Sequence, residues 1–150
     1  MPLRPTHHAP HTSAMTQIEI FNPETVATPA GTYSHVARVP PGATLVVIAG
    51  QVAIGPDGTL VGRDDFDAQC AQVFANVKAA VRAAGGGWEN VIQTMTFLTR
   101  REDVARLRTW RTSEFPKLVP DGRYPPNTLL VVQGLADEDM LLEVQALAAI

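Results

Sequence analysis

The sequence predicts a single α/β domain in which two helices cover one face of a mixed sheet. The chain has 150 residues, which is enough for one core of ordinary size and too few for two. Apolar residues recur at helical spacing in two stretches, and short β-type runs precede, separate and follow them. Two helices leave the second face of such a sheet uncovered, so we expect that face, built from Val46, Ile48, Val131 and their neighbours, to be buried by self-association.

The first sixteen residues are predicted to form a disordered tail ahead of a domain at residues 17–150. They contain three prolines and three histidines but few apolar side chains to offset the cost of ordering. The alternative is an upstream start ahead of Met15. His7, His8 and His11 do not predict a metal site, because a loose tail lacks the fixed geometry that metal selectivity needs.

Composition and charge favour a small-molecule or protein partner. The formal net charge is −3, and the arginines are scattered along the chain, so no nucleic-acid or anionic-membrane footprint is expected. No apolar run is long enough to cross a bilayer. The single cysteine, Cys70, cannot form an internal disulfide, and the N-terminus does not resemble a secretory signal, so a cytoplasmic location is expected.

The first half of the chain predicts three strands and a long helix. A short strand is expected at residues 18–21. The runs 34–39 and 44–52 flank the turn signal Pro40-Pro41-Gly42 and predict a hairpin. Asp64 or Asp65 is a natural N-cap for the helix that follows.

A stripe of core positions supports this first helix. Glycines 85–87 end the pattern. We expect Cys70 to be a core residue rather than a reactive thiol, because no basic partner lies near it in sequence. The stripe consists of Phe66, Cys70, Val73, Val77, Val81 and Ala84.

The second half predicts a strand at 91–98, a helix at 101–115, a proline-rich loop at 116–126, and strands at 128–132 and 140–146. One side of the second helix carries Val104, Leu107, Arg111 and Phe115. By helical geometry Arg108 lies close to this stripe and should face the sheet, whereas Arg106 projects from the opposite side.

Several local strings, taken in order, resemble the RidA-like (YjgF) family from about residue 21 to residue 148. They are Tyr33-Ser34-His35, Ala49-Gly50-Gln51, Gln69 with Asn76, Ala83-Ala84-Gly85, the strand 91–98, and Leu142-Glu143-Val144-Gln145-Ala146. The resemblance implies a chorismate-mutase-like fold, homotrimers whose sheets form a central barrel, and clefts between subunits. Many members hydrolyse reactive enamines or imines to carbonyl compounds and ammonia, with no metal or organic cofactor.

The resemblance also implies a set of site residues. Glu143, on the last strand, matches the glutamate that positions water, and Tyr33 matches a tyrosine that closes the cleft. Gly50 belongs to the expected substrate-binding set. Leu129 is the residue whose backbone carbonyl faces the substrate nitrogen. From periodicity alone, a solvated Glu143 and a Tyr33 packed at the sheet edge remain open alternatives.

The family arginine that holds the substrate carboxylate is missing. Asn127 stands in its place within Pro125-Pro126-Asn127-Thr128. An asparagine can hydrogen-bond a carbonyl, hydroxyl or amide but supplies no charge against an anion. Arg123 precedes two prolines and is a poor substitute. Arg108 falls where relatives carry an asparagine beside the substrate, so an exchange of the two side chains is one hypothesis, and a salt bridge or solvated Arg108 is the other.

Two functions therefore follow from the sequence. One is a RidA-like hydrolase of an enamine or imine with altered substrate choice. The other is a non-catalytic trimer that binds a metabolite or a partner protein. A third, ribonuclease activity, is disfavoured by the acidic chain and the absence of a basic or aromatic stripe.

Overall fold

The computed structural model describes residues 17–150, and the proposed tail and its histidines lie outside them. Two helices and six strands alternate in the order that the sequence predicts. The elements are β1 (Glu19–Phe21), β2 (Val36–Arg38), β3 (Leu45–Gln51), α1 (Phe66–Ala83), β4 (Val91–Leu98), α2 (Asp103–Leu118), β5 (Asn127–Val131) and β6 (Leu142–Ala149), with a short 3-10 turn at Trp88–Asn90 before β4.

The strands form two sheets rather than one. The main sheet has the order β3-β6-β4-β5, in which β5 is parallel to β4 and the other pairs are antiparallel. β1 and β2 form a separate antiparallel pair. The mixed character predicted from the sequence is confirmed, and both helices share one core with the main sheet.

The predicted hairpin between residues 34–39 and 44–52 is wrong. β2 pairs with β1, and β3 pairs with β6 at the other end of the chain. The Pro40-Pro41-Gly42 turn is present, with Gly42 in the left-handed region at φ 85°. This turn sends the chain from one sheet into the other. Turn residues determine a change of direction, but they do not determine which strands then pair.

Local signals define α1 well. The Asp65 side chain caps it by accepting a hydrogen bond from the backbone N–H of Ala68 at 3.1 Å. Gly85 follows the last turn at φ 94°, a conformation that glycine adopts without cost. Cys70 is fully buried, and burial raises the pKa of its thiol, so it is the core residue that the sequence predicts.

The helix α2 runs three residues beyond its predicted end at Phe115, with Pro116 inside its last turn. Phe115 and Leu107 are buried in the shared core. An aromatic cluster surrounds Phe115, so Trp88 and Trp110 pack in the core. It comprises Phe74, Trp88, Trp110, Phe115 and Tyr124.

The face of the main sheet away from the helices is apolar and exposed. Val47 and Leu45 are 77% and 58% exposed in β3. We expected Val46, Ile48 and Val131 on this uncovered face, and that was wrong. Strand alternation puts them on the helix side, where Ile48 is buried and Val46 packs against the core.

Gln69 and Asn76 on α1, two residues of the family resemblance, hold neighbouring loops in place through hydrogen bonds. Buried Gln69 donates to the carbonyl oxygens of Gly62 and Asp139 and accepts from the N–H of Leu141. Asn76 donates to the carbonyl oxygens of Val52 and Ile54. These side chains therefore fix the segments beside β3 and β6, which is a structural role.

Candidate functional site

A cleft of about 280 Å³ opens between the loop before β2, one side of α2 and the start of β5. It is small enough for a metabolite of a few heavy atoms. The lining residues include Tyr33, Arg108, Asn127 and Leu129, four of the six predicted site residues. The full set is Ala30, Gly31, Thr32, Tyr33, Leu107, Arg108, Arg111, Thr112, Asn127 and Leu129.

Asn127 is held by hydrogen bonds at the first position of β5. Its Oδ1 accepts from the hydroxyls of Thr94 at 3.0 Å and Thr96 at 2.8 Å, both buried on β4. The amide NH₂ is left as the group that can donate to a ligand. Asn127 therefore offers the cleft a neutral donor where a guanidinium is missing.

Tyr33 lines the cleft from the loop that precedes β2. Its ring meets His35 edge to face at 5.8 Å between centroids, and the His35 Nε2 lies 2.7 Å from the carbonyl oxygen of Ala27. Ser34, between them, forms a parallel bridge with Pro126, directly before Asn127. This bridge brings the loop and β5 together.

The position of Arg108 differs from its prediction. It is exposed on α2 and does not pack against the sheet, although it lines the cleft. Arg106 does lie on another side of the helix, where it stacks over Phe66 and approaches Asp67 and Asp103 at 3.7 and 3.5 Å. Arg108 thus contributes charge at the rim rather than a buried clamp.

Arg111 is the cleft residue that the sequence analysis missed. It was placed on the buried stripe of α2, and a charged residue within an apolar stripe was the signal. It is only 5% exposed, donates from Nη2 to the carbonyl oxygen of Thr32 at 2.6 Å, and lies over the Phe115 ring at 4.1 Å. Burial lowers its pKa to about 10, so it remains protonated at neutral pH.

Glu143 and Gly50 lie together, away from this cleft in the single chain. Glu143 pairs with Phe97 in the sheet register, whereas Asn127 pairs with Thr94, so alternation puts Glu143 and Asn127 on opposite faces. Glu143 is half-buried, and its carboxylate lies directly over Gly50. The predicted site residues thus form two groups on two faces of one sheet.

Other chemical groups of residues 17–150 lie outside the cleft. Asp103 is buried at the start of α2, and burial raises the pKa of its carboxyl.

In residues 17–150, no three His, Cys, Asp or Glu side chains are grouped as metal ligands would be. None of its helices is long and apolar enough to cross a membrane.

Comparison with known proteins identifies the family. The sequence profile of the family described as Endoribonuclease L-PSP matches residues 24–150. A RutC family protein of Synechocystis is 30% identical over 103 residues, which are 68% of this chain and 75% of the relative. The chain belongs to the RidA/YjgF-like family. The resemblance seen in the sequence is therefore confirmed over nearly all of the described chain.

Solved RidA/YjgF-like structures confirm the fold. The Rid protein YyfB of Yersinia pestis matches with a TM-score of 0.77 at 30% identity, covering 89% of this chain and 99% of that one. TdcF of E. coli, solved with bound serine, matches with a TM-score of 0.64 at 26% identity, covering 88% and 98%. Two helices and a mixed sheet are common to these proteins.

Proposed function

We propose that this RidA/YjgF-like protein hydrolyses a small reactive enamine or imine, in clefts completed by neighbouring subunits of a homotrimer. Glu143 positions the attacking water and accepts its proton as the water oxygen bonds to the imine carbon, and that proton then passes to the nitrogen. Transfer of the hydroxyl proton to the nitrogen, again through Glu143, breaks the C–N bond, so that ammonia leaves as the carbonyl forms. Asn127 changes the substrate, because its amide cannot hold a carboxylate as a guanidinium would.

The observation that carries the proposal is the contact between the Glu143 carboxylate and Gly50, which keeps a carboxylate on the uncovered sheet face. That face is the one an assembly would bury, and Leu45 and Val47 give it an apolar surface. Glu143 and Asn127 lie on opposite faces of one chain's sheet, so assembly would have to bring Glu143 of one subunit to the Asn127 cleft of its neighbour. The serine bound to TdcF supports a ligand of similar size.

Hydrolysis of an imine panel tests this function. Imines are generated in situ from amino acids or amines and trapped by semicarbazide, so an active protein lowers the trapped fraction. We expect weak or absent turnover of 2-iminopropionate, because misplacement of the imine carbon by about 1 Å costs about a hundredfold in rate. We expect faster turnover of at least one imine without a carboxylate on the imine carbon.

Glu143→Gln is the decisive variant, because it keeps the shape of the side chain but cannot accept a proton. Loss of turnover with the assembly intact supports the hydrolase. Turnover of 2-iminopropionate as fast as that of an arginine-bearing relative contradicts the role given to Asn127. No turnover of any panel member contradicts the hydrolase and leaves a binding protein.

That second function, a trimer that binds a metabolite without chemistry, is favoured by one observation. Asn127 has its oxygen occupied by Thr94 and Thr96 and presents only a neutral donor. A ligand that binds with micromolar affinity and is recovered unchanged would support it.

Ribonuclease activity, which the family description names, is the least supported function. The net charge of −3 opposes binding to a phosphate backbone, and the two arginines of the cleft form no extended basic groove. Salt-sensitive binding of single-stranded RNA would revive it.

A further inference from the structure

The guanidinium of Arg111 is buried without an acidic partner among residues 17–150. Within the part of the chain that the structure describes, no ion pair involves it, and its Nε has no hydrogen-bond partner. A buried cation without a counterion is costly, and buried charges in proteins are normally paired. Within residues 17–150, the Arg111 guanidinium therefore lacks the counterion that a buried charge requires.

The nearest acidic residues along α2 and the loop after it are paired elsewhere. Asp103 faces Arg106, and Glu114 accepts from Lys117 at 2.8 Å. Asp121, beyond the helix, pairs with Arg123 at 2.7 Å. The acidic residues of this region thus neutralise other cations and leave Arg111 uncompensated.

The orientation of Arg111 is fixed in advance of any ligand. The Thr32 carbonyl accepts from Nη2, and the Phe115 ring supports the plane of the guanidinium. A guanidinium carries five N–H donors, and one hydrogen bond to protein is found for this one within residues 17–150. Such preorganisation lowers the cost of binding a planar oxyanion through two parallel hydrogen bonds.

The cleft that Arg111 lines is positively charged. Among residues 17–150 its lining includes Arg111 and Arg108 and no Asp or Glu, whereas the chain as a whole is acidic. Low-dielectric walls concentrate such a field on a bound charge. We propose that Arg111 binds the anionic group of the ligand, a carboxylate or a phosphate, from helix α2 rather than from strand β5.

This inference rests on the proposed function only in that the cleft is the ligand site. It refines the substrate class, because the charge is held beside Thr32 and not at Asn127. The fitting ligand carries its anionic group away from the imine carbon, as the imine of a 3-oxo or 4-oxo acid does. Arg111 reaches the cleft from α2 and Asn127 from β5, so an anionic group held at Arg111 places the reacting carbon differently from one held at Asn127.

Binding to the wild-type assembly is measured by calorimetry at low ionic strength. The probes are acetate, succinate and inorganic phosphate, with acetamide and succinamide as neutral analogues of similar shape. We expect saturable binding of at least one anion and at least tenfold weaker binding of its neutral analogue. Comparing the affinities of the carboxylates and of phosphate shows which of the two anionic groups the cleft binds.

Variants of α2 then assign the charge to one residue. Arg111→Gln should weaken anion binding at least about tenfold, and Arg111→Lys should recover only part of it, because lysine lacks the planar fork. Arg106→Gln removes the same charge from another side of the same helix and should bind as the wild type does. Sedimentation and circular dichroism check that each variant is folded and assembled.

Three results would overturn the inference: neutral analogues that bind equally well, an Arg111→Gln protein that binds anions normally, or equal losses in Arg106→Gln. A wild type that binds no anion, together with an Arg111→Gln protein that dissociates, would instead assign Arg111 to a carboxylate of a neighbouring subunit. If Arg111→Gln does not fold, the neutral analogues and Arg111→Lys still decide.

The binding and turnover results together distinguish a failure of this inference from a failure of the proposed hydrolase function. Anion binding at Arg111 without turnover of any imine contradicts the hydrolase alone. Turnover of neutral imines at least as fast as of 3-oxo or 4-oxo acid imines, with no anion binding, contradicts the role of Arg111 alone.

Discussion

The carboxylate of Glu143 fills the space that a side chain at Gly50 would need. A Cβ built on Gly50 would overlap Oε1 and lie 2.6 Å from Cδ of Glu143. The register between β3 and β6 shifts between Ile48 and Gln51, so the contact falls at an irregularity of the sheet. Gly50 therefore positions the carboxylate by leaving room for it.

Gly50→Ala is expected to lower turnover about a hundredfold and to change the melting temperature little. The new methyl group displaces the flexible end of Glu143, which moves the oxygen that we propose as the water-positioning group by about 1 Å without opening a cavity. Imine hydrolysis and thermal unfolding measure the two effects. Gly134→Ala is the control, since nothing lies within 4 Å of a Cβ there. Normal turnover in Gly50→Ala would contradict the positioning role.

Val47→Glu is expected to convert a trimer into monomers. Val47 is exposed in the single chain, so the glutamate costs the monomer little, but a charge buried without a partner in an assembled sheet face is strongly unfavourable. Sedimentation velocity at micromolar concentration measures the change. Ala79→Glu, on the exposed side of α1, should leave the assembly intact. A wild-type monomer would contradict both the trimer and the shared cleft.

Arg108→Ala is expected to weaken anion binding only a few-fold, and less so as salt is added. Arg108 is exposed at the rim, and exposed charges contribute about 0.2–1 kcal/mol. Calorimetry at two ionic strengths checks this. Complete loss of binding, at either salt concentration, would return the role of principal anion-binding group to Arg108.

Asp103→Asn is expected to gain stability relative to the wild type as the pH rises. Burial raises the pKa of Asp103 above its ordinary 3.8, so the folded state holds this proton more tightly than the unfolded state does. The contribution of Asp103 is therefore most favourable at low pH and declines as the pH rises through the folded pKa. Urea unfolding from about pH 3 to about pH 7 measures the difference, which should not shrink with rising pH.

Cys70 is expected to react with a thiol reagent only after unfolding. It is the single cysteine, it is fully buried, and burial raises the pKa of its thiol. Native protein at pH 8 should show less than about one-tenth of the labelling seen in denaturant. Rapid labelling of the native assembly would show that α1 opens locally.

Most elements could be predicted because their signals are local. The Asp65 cap, the spacing from Phe66 to Val81 and Gly85 define α1 within the chain itself. The end of α2 could not be predicted as well, because the helix continues past Pro116 to Leu118, which packs against the core. The candidate cleft was predicted in part: Tyr33, Arg108, Asn127 and Leu129 line it, whereas Arg111 was assigned only to the helix stripe.

The sequence by itself determined the family, the order of elements and the substitution at Asn127, since these depend on residue type and spacing along one chain. Only the tertiary structure decided that β2 joins β1, that Val47 rather than Val46 faces outward, and that Arg111 is buried without a carboxylate among residues 17–150. Strand pairing, the direction of a face and the neutralisation of a charge are long-range relationships. They depend on which distant segments meet, and a one-residue shift of register is enough to move every side chain of a strand to the other face.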